Sequence, residues 1–203
     1  MAKIKMYGIS GSRALRSLWA IEETGVEYEH VPTTYMDDSK SSEYLAINPN
    51  GKIPALVDGD LVLFESMAIN MYLAKQYAPA LYPNALHEEA QLFQWSVWGI
   101  SEIEPLQMQI VLHTFLLPED KRNEKIVTSS GKQLKRPLQT LDAHLANRDW
   151  LLGDAFSIAD LNLAAVMLLM RMVKYDYSEF ESVSRWAAAC YERPALARAE
   201  ALP

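Results

Sequence analysis

Hydrophobic and polar positions along the first eighty residues switch repeatedly between a period of two and a period of about 3.6. Lys3–Tyr7 sets Ile4 and Met6 against Lys3 and Lys5, and Val26–Val31 sets Val26 and Tyr28 against Glu27 and Glu29. Both read as strands with one buried face, the second closed by Pro32. Ala55–Val57 and Leu61–Phe64 are short apolar runs around Asp58–Gly59, a dipeptide suited to a tight hairpin because both residues tolerate positive φ. Helical stripes fill the gaps. Arg13–Glu23 carries Leu15, Leu18, Trp19 and Glu22 as one stripe and meets a natural stop at Gly25. Residues 37–47 are polar and then weakly helical, and Met67–Tyr77 gathers Ile69, Met71, Tyr72 and Leu73 on one side. The order β-α-β-α-β-β-α, with its final hairpin, predicts a small mixed α/β layer rather than a doubly wound sheet.

Pro79, Pro83 and Asn84 mark a linker over residues 79–86, and beyond it only helical periods remain. A long helix is expected from Glu88 to Thr114 with a bend at Pro105, and others near 120–147, 158–173 and 179–192. Two domains follow: residues 1–78, and an all-helical domain of residues 87–203. Ser157-Ile158-Ala159-Asp160 has the form of a capping box, with Phe156 and Leu161 placed as a hydrophobic staple. Trp95 and Trp98, and the cluster Met167, Met170 and Met172, are read as packing residues. The basic stretch from Lys121 to Arg136 has no interleaved aromatics and is read as a solvated helix face.

Composition removes several classes of function. The 203 residues hold 19 Lys+Arg and 26 Asp+Glu, a net charge of −7, which disfavours nucleic acid and anionic membranes as partners. A single cysteine, Cys190, rules out an internal disulfide, a Cys-x-x-Cys pair and a cysteine-rich zinc site. His30, His87, His113 and His144 show no ligand spacing, so no metal is expected. The longest apolar run, Leu163–Met170, has eight residues against the ~20 needed to span a bilayer. With no signal-peptide pattern at the start, a soluble, cytoplasmic protein is expected.

The block Asn48-Pro49-Asn50-Gly51-Lys52-Ile53-Pro54-Ala55-Leu56, then Asp58-Gly59, then Phe64-Glu65-Ser66-Met67-Ala68-Ile69, strongly resembles cytosolic glutathione transferases. Ser12-Arg13, Arg16-Ser17-Leu18-Trp19, Glu22-Glu23 and Phe156-Ser157-Ile158-Ala159-Asp160 fit the same family. The resemblance covers essentially the whole chain. It implies a thioredoxin-like glutathione-binding domain (a mixed four-stranded sheet) over 1–78, and a helical domain contributing the acceptor pocket over 87–203. It further implies a twofold homodimer, glutathione as cosubstrate, and a cis Ile53–Pro54 bond that turns the Ile53 backbone toward the cysteinyl part of glutathione.

The remaining candidates carry physical reasons as well. Glu65 and Ser66 stand where a strand turns into a helix, whose free N–H groups attract a carboxylate; they are candidates for the γ-glutamyl end. Lys52 and Lys40 are candidates for the glycyl carboxylate. Glutathione's thiol has a pKa near ~8.5, so it must be activated, and a donated hydroxyl is worth ~1.5–3 kcal/mol to a thiolate. Tyr7, Ser10 and Ser12 lie at or just after the first strand. Ser12, directly before the helical stripe and spaced as in the serine-type, theta-like classes, is the first choice, with Ser10 and Tyr7 as alternatives. The function expected is conjugation of glutathione to small apolar electrophiles. The alternatives are a glutathione-dependent isomerase or peroxidase, or a non-catalytic interaction module of the same fold.

Overall fold

Alternation on the first strand sets the layers of the N-terminal half: Ile4 and Met6 are buried, while Lys5 and Tyr7 on the other face are partly exposed. The structure, a computed structural model, describes residues 4–203, so Lys3 lies outside the described residues. Two compact units form, one holding the chain up to Tyr82 together with Glu192–Pro203, the other holding Pro83–Tyr191.

In the first unit the order is β1 (Ile4–Tyr7), α1 (Leu15–Thr24), β2 (Tyr28–Val31), α2 (Ser42–Leu45), β3 (Ala55–Asp58), β4 (Leu61–Phe64) and α3 (Ser66–Tyr77). A short 3-10 turn, Asp38–Lys40, precedes α2. The sheet order is β2-β1-β3-β4, with β1 and β2 parallel and the other pairs antiparallel, the mixed sheet the pattern predicts. Helix α1 buries Leu18, Trp19 and Ile21, packs on α3, and ends at Gly25 with φ 67°. The hairpin turn falls one residue later than expected. Asp58 pairs with Leu61 inside the ladder, leaving Gly59–Asp60 as the loop. Its carboxylate accepts the hydroxyls of Tyr72 (2.6 Å) and Tyr77 on α3, which keep Asp58 in the strand.

The second unit is helical: α4 (Leu86–Trp98), α5 (Glu104–Val111), α6 (Glu124–Leu145), α7 (Ile158–Met167), α8 (Leu169–Met172) and α9 (Glu181–Tyr191). The single helix expected over 88–114 is instead interrupted by π-helical turns at Gly99–Ile103 and Leu112–Leu116. Pro105 has no N–H and its ring opposes the carbonyl of Ser101; the wider turn just before it absorbs that conflict. Helix α6 continues through Pro137, which is buried.

Helix α7 is buried on every side, and its start is the capping box the sequence predicts. Ser157 Oγ accepts the Ala159 N–H (3.3 Å), and Asp160 accepts the Ser157 N–H (2.9 Å) and hydroxyl (2.8 Å). Asp160 also accepts the Leu151 N–H (2.8 Å) and the Trp186 indole N–H (2.9 Å), so one carboxylate joins α7, the preceding loop and α9. Burial pushes the Asp160 carboxyl above the usual range and the four donors oppose that shift.

Residues 192–203, expected in the helical domain, belong to the first unit. Helix α10 (Pro194–Glu200) packs on α1, held by a two-pronged Arg193–Glu23 pair (2.6 and 2.8 Å) and by Arg198 on Glu22 (2.7 Å). Cys190 is fully buried; Met167 and Met170 are buried, as expected for packing residues, whereas Met172 is exposed. Replacing Asp160 by Ala strands four donors in the interior. Urea unfolding followed by tryptophan fluorescence should show a loss of about 3 kcal/mol, and a smaller loss for Asp160→Asn, which keeps one acceptor oxygen.

Candidate active site

The loop from β1 to α1 is held from several directions. Gly8 has φ 140°, and a Cβ there would stand 2.3 Å from Ala14 Cβ, so strand end and helix start approach as closely as two backbones without an intervening side chain allow. The Gly8 N–H donates to Val31 (3.2 Å), and its carbonyl accepts the Thr33 N–H (3.4 Å) and faces His30 Nε2 (2.8 Å).

Ser12 opens the turn that leads into α1. Its oxygen accepts the Ala14 N–H (3.0 Å), its hydroxyl donates to the Ile9 carbonyl (2.8 Å), and its own carbonyl accepts the Leu15 N–H (3.1 Å). The residue is therefore a cap for the first turn and stays partly exposed. Ser10 differs: its hydroxyl donates to the Leu202 carbonyl (2.7 Å). Tyr7 packs edge-on against Tyr44 (ring centroids 5.9 Å apart), within a cluster formed by Ala14, Tyr44, Ile53 and Ala55 with Ile9 and Ile47. That cluster draws three candidate segments together: the β1–α1 loop, α2, and the turn before β3.

Ile53–Pro54 is cis. The Ile53 N–H and carbonyl have no protein partner among the described residues. The carbonyl before them is fixed twice, since Lys52 O accepts Tyr44 Oη (2.7 Å) and Asn48 Nδ2 (2.7 Å). Burial pushes the Tyr44 hydroxyl up to about 12, so it remains a donor at neutral pH. Asn48 is itself buried, and its amide oxygen accepts the Asn50 N–H (3.1 Å). Lys40 reaches the same turn: its ammonium donates to the Gly51 carbonyl and lies 5.1 Å from the Tyr35 ring centroid. Gly51, at φ 57°, leaves room for it, because a Cβ would come within 3.0 Å of Lys40 Nζ. The Lys52 side chain points to solvent, with no protein partner among the described residues.

Glu65 adopts φ 73° and ψ 112°, a conformation that costs a non-glycine residue about 1–3 kcal/mol. It precedes α3, whose first turn has no side-chain cap. The Ser66 hydroxyl and Glu65 carboxylate make no hydrogen bond to protein among the described residues. Ser66 is buried, and its carbonyl accepts Ser17 Oγ from α1 (3.4 Å). A strained backbone, an uncapped helix start and open polar side chains coincide there; such a place can receive a carboxylate.

The chain matches the glutathione S-transferase N-terminal domain family over residues 2–75 and the glutathione S-transferase C-terminal domain family over residues 103–194. The chain belongs to the glutathione S-transferase family. It is 35% identical to glutathione S-transferase 1 of Zea mays, covering 100% of this chain and 98% of that one. A theta class glutathione S-transferase from the citrus canker pathogen Xanthomonas axonopodis pv. citri, solved with glutathione bound, is 32% identical with a TM-score of 0.89, covering 100% and 99% of the two chains. Glutathione S-transferase I from maize, solved with an atrazine glutathione conjugate, is 32% identical with a TM-score of 0.86, covering 98% and 97%.

Every candidate from Tyr7 to Ser66 falls inside the glutathione S-transferase N-terminal match. Among the described residues no group of three or more His, Cys, Asp or Glu side chains is arranged to hold a metal ion, and no helix is long and apolar enough to cross a membrane. Gly8, His30 and Tyr44 were not legible as site residues from the sequence. Each acts on a backbone group outside its own element, and none sits in the motif block. Two stability measurements with different outcomes follow. Scanning calorimetry should find Gly8→Ala several degrees less stable, because the new methyl meets Ala14 on fixed backbone. Glu65→Gly should match or slightly exceed the wild type, relieved backbone strain offsetting the freer unfolded chain.

Proposed function

We propose that this chain conjugates glutathione to small apolar electrophiles and that Ser12 holds the thiolate. The observation that carries the reading is the Ser12 hydroxyl, partly exposed at the start of the turn into α1 and already accepting the Ala14 N–H. Accepting that bond polarises the O–H for donation, and the helix start adds partial positive charge nearby.

The hydroxyl has one proton, which now rests on the Ile9 carbonyl. Holding a thiolate exchanges that neutral bond, worth about 1 kcal/mol, for a charge-assisted one of about 1.5–3 kcal/mol. The difference, about 0.5–2 kcal/mol, lowers the thiol pKa by roughly 0.4–1.5 units. The rest of the activation falls to the helix start.

Glutathione itself is held along the same edge of the first unit. The open N–H and carbonyl of Ile53, ahead of Pro54, pair with the backbone of the cysteinyl residue. Ser66 and the free amides of the α3 start take the γ-glutamyl carboxylate, and Glu65 its ammonium. Lys52 meets the glycyl carboxylate, with Lys40 bracing the Gly51 carbonyl beside it. Both serine hydroxyls already donate, Ser10 to Leu202 and Ser12 to Ile9; what favours Ser12 is its place in the turn into α1, where it also accepts the Ala14 N–H.

The apolar character of the acceptor is supported by the maize relative's atrazine conjugate. A homodimer acting in the cytoplasm completes the reading. Leu61, Val62 and Phe64 on the edge strand β4 are exposed, as are Phe93, Val97 and Ile100 in the helical unit, and a second copy would cover such apolar surface.

Conjugation of a generic aryl halide tests the chemistry. Wild type should bind glutathione at millimolar concentration or below and turn the halide over. Ser12→Ala should keep glutathione affinity within a few-fold and lose about 10- to 100-fold in kcat/KM at pH 7. No binding by the wild type, or a full rate in Ser12→Ala, contradicts the assignment.

A further inference from the structure

Leu202 and Pro203 lie beside the β1–α1 loop. After α10 has run along α1, clamped to Glu23 by Arg193 and to Glu22 by Arg198, the backbone reaches Ser10. The Ser10 N–H donates to the Pro203 carbonyl (2.8 Å) and the Ser10 hydroxyl donates to the Leu202 carbonyl (2.7 Å). One residue thus spends both its backbone donor and its side-chain donor on a segment 192 positions away. The segment grips α1 at both ends: two arginines at its C-terminal carboxylates, two carbonyls at the loop before its start.

Among the described residues Ser10 makes no other hydrogen bond, so nothing else ties it to the sheet. Gly8 is fixed by His30, Thr33 and Val31, and Ser12 is fixed by its own turn through Ile9 and Ala14. Between these anchors stand Ile9, Ser10 and Gly11, and Gly11 is exposed with nothing within 4 Å of the place a Cβ would take. A glycine in open space leaves the backbone free to move unless a neighbour is tied down. Ile9 also carries the carbonyl on which the Ser12 proton rests.

We infer that Leu202 and Pro203, acting through Ser10, are positioning residues that set where the Ser12 hydroxyl stands. Ser10 contributes to the reaction as the post to which the strap is tied. This rests on the reading of Ser12 as the thiol donor. Its physical core, a loop ordered by the strap, stands independently of that reading. A hydroxyl displaced by about 1 Å loses most of a directed hydrogen bond, so loosening the loop lowers kcat while the glutathione anchors at Ile53, Glu65 and Ser66 keep KM.

The experiment compares the full chain with Ser10→Ala, Ser10→Thr, a variant lacking Leu202 and Pro203, and Arg198→Ala, which weakens α10 without touching the loop. Amide hydrogen exchange across residues 9–16 is measured without glutathione; kcat and the KM for glutathione are measured by aryl halide conjugation. Removing Leu202 and Pro203 should speed exchange of the Ser10–Ala14 amides by about tenfold or more, and Ser10→Ala should do so to a lesser degree. Both should lower kcat about 5- to 20-fold with KM within about twofold, and Ser10→Thr, which keeps the hydroxyl, should restore kcat. Arg198→Ala should lower the thermal midpoint and change neither loop exchange nor kcat. Unchanged loop exchange in the shortened chain overturns the inference, as does an equal kcat loss in Arg198→Ala. If the wild type shows no glutathione conjugation, the proposed function fails and loop exchange alone decides whether the strap orders the loop.

Discussion

The close approach of Gly8 to Ala14 is the constraint around which the first unit is arranged. With 2.3 Å between the place of a Gly8 Cβ and the Ala14 methyl, β1 must stop and α1 must start within a few residues of each other. Ser12, between them, is therefore carried on a short loop. The Ala14 methyl continues into the apolar cluster with Tyr44, Ile53 and Ala55, so the same contact that brings helix to strand also seats the turn before β3. Tyr44 then does two jobs at once: its ring packs in that cluster and its hydroxyl holds the Lys52 carbonyl.

Polar groups are treated in opposite ways in the two units. At the start of α7 every oxygen of Asp160 is used, with four donors converging on a carboxylate that is 0% exposed. Such a network costs about 3 kcal/mol or more to break and fixes one arrangement of helices. At the start of α3 the reverse holds. No side chain caps the helix, Glu65 bears positive φ, and Ser66 keeps its hydroxyl open. The Ile53 amide and carbonyl are likewise left without protein partners among the described residues. Stability is gathered at the start of α7, while open donors and strain are held at Ile53, Glu65 and Ser66, where we propose that glutathione binds.

How far the chain could be read in advance depended on whether an effect is local. Ile4 and Met6 alternating with lysine gave β1 its buried face, and Ser157 with Asp160 gave α7 its start, because both signals lie within a few residues. The mixed sheet was legible for the same reason, since a hairpin must be antiparallel. The turn at Gly59–Asp60 was misplaced by one residue because Tyr72 and Tyr77, over a dozen residues on, hold Asp58 in the ladder. The π-helical turns were missed because a period of about 3.6 averages over a single widened turn. Placing 192–203 with the helical domain failed because nothing near Arg193 indicates Glu23, 170 positions earlier. At the candidate site, the motif block pointed to Ile53, Pro54, Glu65 and Ser66, but no local pattern indicates that Ser10 donates to Leu202 or Ser12 to Ile9, so the hydroxyls could not be told apart by their surroundings.

We propose above all that Ser12 lowers the pKa of a bound thiol. Ultraviolet absorbance of the thiolate, followed against pH with glutathione saturating the protein, reads this directly. The wild type should show a midpoint at least about one unit below the ~8.5 of the free thiol, moving back toward ~8.5 in Ser12→Ala. A wild-type midpoint near ~8.5, or a lowered midpoint that Ser12→Ala leaves in place, contradicts it.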